Sequence, residues 1–513
     1  MELRELVELR QDAARLCADL ARVGLALAQG LPLPQDLPEV ARAHPLACSA
    51  DGLAQAVEAL AGASGAARIA RLASLRDFLV RARALALEPG AAQELAEFPR
   101  RPSVLLPGDA GLQGARAPVQ VERELPLLRA REERAEAEAA LAEAERGASG
   151  ARSATWDAAQ AALSEVGLGE PAEAAAGLHD RDLREPSGKE HEREPIAAAC
   201  ERFLDETDDL ARDLGGWLLE RHTGAHPYPG GAERHDVLHL VHAPRCASAF
   251  PRGELVRSVR RWAEMLRLDL AAGGAIALDE DDRPLQPRGA RAVAIDPPHE
   301  VRVVLLPEAG PRALGDLLGA AGVAQLRAGP PADAPPEDLW LGDAALEPAC
   351  DALLRGLLLD PQWLRRCARA DLGRDDERTI AVAGLLDARL DAARALASLE
   401  AHRSGLGARA EQAMRELHAR AVRAELPARL ALRELDPWLS GWARLRGRAL
   451  AARLREFLRE RFDEDFWRNP RALAPLQALW ARGGRPTAGE LWAEVGGTPS
   501  LDPLAGQLLR ACA

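Results

Sequence analysis

The chain has 513 residues, of which 47% are hydrophobic and 28% charged, a balance that excludes a disordered protein. Its net charge of −13 argues against a nucleic-acid partner, because phosphate binding needs a basic footprint. No apolar run approaches the roughly 18 residues of a membrane span, and the opening M-E-L-R-E-L-V-E-L-R has no apolar signal core, so no membrane association and a cytoplasmic location are expected.

Basic residues are almost all arginine, with Lys189 the single lysine. The seven cysteines, Cys17, Cys48, Cys200, Cys246, Cys350, Cys367 and Cys512, are odd in number and widely spaced. That pattern suits reduced, buried thiols and not a disulfide framework.

Residues 1–100 read as helices. Leu3, Leu6, Leu9, Ala13, Leu16, Leu20 and Val23 keep a helical period, Pro32, Pro34 and Pro38 interrupt it, and 52–87 resumes it. Residues 101–118 form a connection. Residues 122–146 read as one charged, partly solvent-facing helix, and 147–192 as loops with short helices. Helices are expected at 194–221, 232–242 and 252–270. Residues 275–307 form the one β region, with strands at 275–279, 291–296 and 301–306 separated by D-D-R-P and D-P-P turns. A helix at 312–328 follows, then long helices near 376–400, 407–424 and 441–462. Tryptophans 438, 442, 467, 480 and 492 are placed to pin the last helices together. Two units are expected, an N-terminal helical lobe at 1–190 and a second domain at 191–513.

Few constellations carry chemistry. His235, His239 and His242 share a helical face at i, i+4 and i+7, a spacing at which imidazoles can share one metal ion, although a partly buried polar face explains it as well. Asp236 lies on a neighbouring face. The acidic stretch 278–282 reads as a solvated hairpin tip, without the glycine and terminal glutamate of a calcium loop. No G-x-S-x-G, phosphate loop or dinucleotide fingerprint occurs, and Lys189 lacks a glycine frame.

The stretch E-V-R-V-V-L-L-P, then L-L-G-A-A-G-V-A at 317–324, then L-G-D-A-A-L-E-P-A-C-D-A-L-L-R-G-L-L-L-D-P-Q-W-L at 341–364 follows a definite order. With L-R-E-F-L-R-E-R-F-D-E-D-F-W-R-N-P at 454–470, it resembles the thimet oligopeptidase and oligoendopeptidase-like zincin metallopeptidases over roughly residues 190–480. The resemblance implies a mainly α, zincin-like fold, with two helical lobes around a cleft and one small sheet beside the active-site helix. In that family two histidines at i and i+4 and a glutamate on the next helix hold zinc, and a second glutamate is the general base. Carried over by position, the first histidine is Gly319, the base is Ala320, the second histidine is Val323 and the third ligand is Pro348, with Glu347 beside it. The family's oxyanion tyrosine has no counterpart near D-P-W-L-S-G-W, and Tyr228, the single tyrosine, lies in a turn. No histidine occurs between His299 and His402, so no shift of register restores the motif. The same residues also read as a plain Ala/Gly helix.

The resemblance therefore implies a catalytically inactive peptidase homologue without a zinc cofactor, a pseudopeptidase that keeps peptide binding, in which strand 300–307 could take an extended peptide at its edge. Two alternatives stand beside it. One is a structural or regulatory partner of an active paralogous peptidase; the other is a hydrolase with its metal relocated to His235, His239 and His242.

Overall fold

The computed structural model describes residues 4–106, 114–179 and 194–513. Part of the connection at 101–118, the C-terminal part of the 147–192 segment and Lys189 lie outside the described residues. The described residues are mainly helical, with one three-stranded sheet among them.

The N-terminal part begins with α1 (Arg4–Gln29), whose Leu6, Leu9, Ala13 and Leu16 are buried. The helix expected over 52–87 is two helices, Ala50–Ala61 and α2 (Ala66–Leu87), because Gly62 ends the first and Gly65, at φ +88°, turns the chain into the second. The single helix expected over 122–146 is also broken. Pro118–Glu124 stops at Leu125-Pro126, where proline cannot continue the α ladder, and α3 (Arg131–Ala144) starts afresh. Nor is α3 only a solvated helix: Arg134 and Glu138 are buried. The region expected to be loops with short helices begins with a regular 16-residue helix at Ser149–Ser164, which buries Trp156, Ala159 and Leu163. α1, Ala50–Ala61, α2 and Ser149–Ser164 share an apolar cluster that also takes in Leu399 and Leu439 from the C-terminal half, whereas Val121, Leu125, Ala137 and Leu141 form a separate small cluster with Val104.

The C-terminal part of the chain contributes most of the larger core, which also takes in Ala142 and Trp156. Along the chain come α4 (Arg234–His242), strands β1 (Ile276–Asp279), β2 (Ala290–Asp296) and β3 (Glu300–Leu305), and then α5 (Pro311–Ala328), α6 (Leu346–Arg355), α7 (Arg374–Ser404), α8 (Ser440–Phe462) and α9 (Asp502–Cys512). The three strands stand within a residue of their expected places. Their order is β1-β3-β2, with β1 parallel to β3 and β2 antiparallel to it. Two expectations fail here. The strand at 300–307 is central and not an edge, so its backbone groups are already paired on both sides. The acidic stretch 278–282 is not a hairpin tip either, because β1 and β2 do not pair; Asp282 instead meets Arg123 at 2.9 Å. Val301, Val303, Val304 and Leu305 are buried, and α5 packs on β2 and β3 while α1 touches β2. The sheet thus fixes one side of α5 and leaves the other to α6.

The C-terminal tryptophans 467, 480 and 492 are buried among these helices, and all seven cysteines are buried and unbridged. Among the described residues, no helix is long and apolar enough to cross a membrane.

Candidate functional site

The site grows from the start of α5. Gly310, at φ +126°, redirects the chain out of the sheet, and its amide donates to the Phe250 carbonyl at 2.9 Å. Pro311 then occupies the first helical position, where a missing N–H costs nothing. From there Gly315, Gly319 and Gly322 recur at helical spacing on the face turned to α6. A Cβ added to Gly322 would lie 2.3 Å from the Cys350 carbonyl oxygen, and one on Gly315 would lie 2.9 Å from a Leu358 methyl. Gly322 therefore lets the two helices approach backbone to backbone, and Gly315 and Gly319 make room for side chains packed against α5, which offsets their cost of about 1 kcal/mol each in helix propensity.

Gly319 is the central position. A Cβ there would lie 1.8 Å from Asp351 Oδ2, so the Asp351 carboxylate fills the space into which a side chain at 319 would point. Arg355 holds that carboxylate in a two-point fork, Nε to Oδ1 at 2.9 Å and Nη2 to Oδ2 at 3.0 Å. Its remaining nitrogen, Nη1, donates to Asp316 Oδ1 at 2.5 Å. Asp316 lies 3.7 Å from Arg312 Nε, and Arg312 also bonds Asp387 on α7. The result is one chain of alternating charge across α5, α6 and α7. Burial would raise the Asp316 carboxyl, yet Arg355 and Arg312 outweigh it and hold the group below the usual carboxylate range. The same contest, with Arg312 and Arg448 as the leading cations, lowers Asp387. Arg355 is raised well above its ordinary value: burial opposes this, and Asp351 and Asp316 prevail.

These residues do not fit the zinc of a zincin. Gly319, Ala320 and Val323 carry no donor atom; Ala320 is buried and Val323 half-buried. The carboxylate nearest Gly319 has both oxygens on Arg355. The position carried over to the third ligand, Pro348, turns away from α5, and its Cβ would stand 2.5 Å from a Cβ added to Gly447 on α8. Glu347 is drawn off to Arg327, at 2.7 Å. Asp351 and Arg355, which face α5, were not singled out by sequence reasoning. The signals available were their i, i+4 spacing and Asp316 one turn before Gly319. Tyr228 is partly exposed, and its amide donates to Arg423.

The three histidines of α4 do not converge. His239 Nδ1 pairs with the Pro126 carbonyl at 2.9 Å, and His242 Nδ1 with the Leu238 carbonyl at 2.7 Å. His235 is fully buried and joins Glu138 at 3.1 Å and Glu233 at 3.3 Å. Glu138, Glu233 and His235 are the group whose ligand atoms all lie within 4.8 Å of one another among the described residues. Glu138 also takes Arg234 at 3.0 Å, and His235 and Arg234 together overcome its burial and keep its carboxyl low. The partner carboxylates come from positions 138 and 233, which helical spacing within α4 could not reveal.

A cavity of about 180 Å³ lies between α2 and the C-terminal end of α5. Phe78 and Arg81 line it from α2, His179 from the chain beyond, and Arg327 and Glu347 from α5 and α6. Burial, then Arg446, pushes the His179 imidazole down to about 4, so it is neutral at pH 7. The wall combines apolar side chains, Phe78, Leu178 and Leu326 among them, with charges of both signs, a lining suited to the backbone and side chains of a peptide.

No family model and no curated protein matches the chain. Solved structures do. The carboxypeptidase of Pyrococcus furiosus aligns over 100% of this chain and 100% of its own, with TM-score 0.54 and 12% identity. The M32 carboxypeptidase of Deinococcus radiodurans R1 aligns over 99% of each chain, with TM-score 0.53 and 14% identity. A Bacillus anthracis protein described as an oligoendopeptidase F aligns over 93% of this chain and 82% of its own, with TM-score 0.58 and 13% identity. The likeness is one of fold: this chain has the helical architecture of the oligoendopeptidase and M32 carboxypeptidase metallopeptidases, with a small sheet beside its central helix.

Proposed function

We propose that the chain is a non-catalytic counterpart of these peptidases, one that binds peptides in the cavity between α2 and α5 without cutting them. The observation that carries the first half is at Gly319, where Asp351, forked to Arg355, takes up the room of a metal ligand. A zincin needs three protein ligands and a general base; α5 supplies neither histidine nor the base, and the third position, on α6, is Pro348. The second half is supported by the mixed lining of the cavity, which stays open beside α5 although the helix face toward α6 is closed.

The test is metal analysis after equilibration with zinc, run beside a cleavage screen of mixed oligopeptides and a binding assay on the same peptides. Less than stoichiometric zinc, intact peptides and saturable binding are expected. Chelator-sensitive cleavage by the wild-type protein overturns the first half; absence of any saturable binding overturns the second.

A further inference from the structure

A second cavity, of about 90 Å³, opens beside the α5–α6 junction, where the start of α5 meets α6, α7, α8 and α9, and the Arg312–Asp387 pair lines it as well. Helical spacing builds it. Arg448 and Arg455, seven residues apart on α8, share a face that lines it, and Gln507 and Leu508 reach it from α9. Ile380 adds an apolar wall from α7.

Most of its arginines are neutralised by the chain itself. Arg355 has Asp351 and Asp316, and Arg448 has Asp391 at 3.3 Å. Arg455 differs. It is 6% exposed, and among the described residues no carboxylate stands within the 4.0 Å of an ion pair. Its partners are neutral oxygens, the Ala352 carbonyl at 3.2 Å and the Gln507 side-chain oxygen. A buried cation without a counter-charge is costly, and a guanidinium does not escape the cost by losing its proton. Burial, then the neighbouring Arg459, pushes Arg455 down to about 9, with Glu456 opposing. The approach is also made possible locally. A Cβ on Gly356 would fall 1.0 Å from Arg455 Nη1, so glycine at 356 clears the space the guanidinium occupies.

We propose that this cavity binds a small carboxylate with a short apolar body. The carboxylate supplies the missing counter-charge to Arg455 and accepts a second hydrogen bond from the Gln507 amide, and Ile380 and Leu508 cover the apolar part. The inference does not rest on peptide binding beside α2, since the two cavities share no lining residue.

The experiment is titration calorimetry on the full chain with isovalerate, N-acetyl-leucine and a leucine-terminated tetrapeptide, each beside its neutral amide, and with sodium chloride alone. Binding of at least one acid, at least tenfold tighter than its amide, is expected. Isovalerate alone binding identifies a free acid as the ligand, and the tetrapeptide binding as well identifies a chain terminus. Gln507→Glu should place a carboxylate on Arg455 within the chain, raise the urea midpoint and weaken acid binding at least tenfold. Arg455→Met should abolish binding; because that change also alters the packing of a buried position, Gln507→Glu is the deciding variant. The proposal is overturned if no acid binds, if amides or chloride bind as well as the acids, or if folded Gln507→Glu binds like the wild type.

Discussion

At the scale of single residues, the three glycines of α5 make different demands from a glycine in an open helix. A Cβ added to Gly24 of α1 has nothing within 4 Å, so Gly24→Ala should stabilise the protein by about 0.5–1 kcal/mol through helix propensity. Gly322→Ala meets the Cys350 carbonyl, a backbone atom that cannot rotate away, and should cost about 1–3 kcal/mol as an overpacked contact. Gly319→Ala meets a side chain, and a double variant with Asp351→Ala should recover part of its loss. Urea midpoints of the four variants check the order; equal effects at 24 and 322 would remove the close-packing argument. The glycines themselves were legible in the sequence, but their partner was not. Which residue of α6 faces 319 depends on the rotation of that helix, and one position turns a side chain by about 100°. Pro348 was carried over by alignment, whereas packing against Gly447 turns it to α8 and presents Asp351 to α5.

At the scale of elements, the central place of β3 determines what the sheet can do. Its backbone groups are bonded to β1 on one side and β2 on the other, so any strand addition must use one of those two outer strands. Amide exchange should be slowest along β3, and mass spectrometry of exchanging peptides should find 300–305 more protected than 276–279. Comparable protection would contradict the strand order. Alternation and proline-rich turns made the three strands readable one by one. Their order was not readable, because pairing is a long-range choice that local patterning does not fix. The helix at Ser149–Ser164 was hidden for another reason: its buried face is mostly alanine, Ala151, Ala158, Ala159 and Ala162, in a chain where alanine is everywhere. Pro126 was visible, yet only the structure shows that it ends a helix and does not merely bend it.

Across the whole molecule, buried neutral histidines set the response to acid. His179 and His418 are each pushed down to about 4, chiefly by burial. In the unfolded chain both regain an ordinary value near 6.5. The unfolded state therefore takes up protons first as pH falls, so stability is full above about pH 6.5 and is lost on the way down to about 4. Each histidine contributes a slope of up to about 1.4 kcal/mol per pH unit inside that window. The lowered carboxylates Asp316 and Asp387 act only at more acid values, through and below the ordinary aspartate range near 4. Urea midpoints should fall between pH 6.5 and 5 and stay level between 7 and 8; a flat profile from 8 to 5 would contradict the burial of both imidazoles.

The junction of α5 with α6 has a consequence for how the molecule comes into being. A metal centre is completed by delivery: the polypeptide folds, and an ion from outside finishes the joint. On the reading proposed above, the joint in that place is closed by Asp316, Asp351 and Arg355, groups already carried on the two helices that they unite. It forms as those helices dock, with no supply step. It also cannot be exchanged, removed by a chelator or left half-loaded, so this part of the molecule matures at the moment it folds.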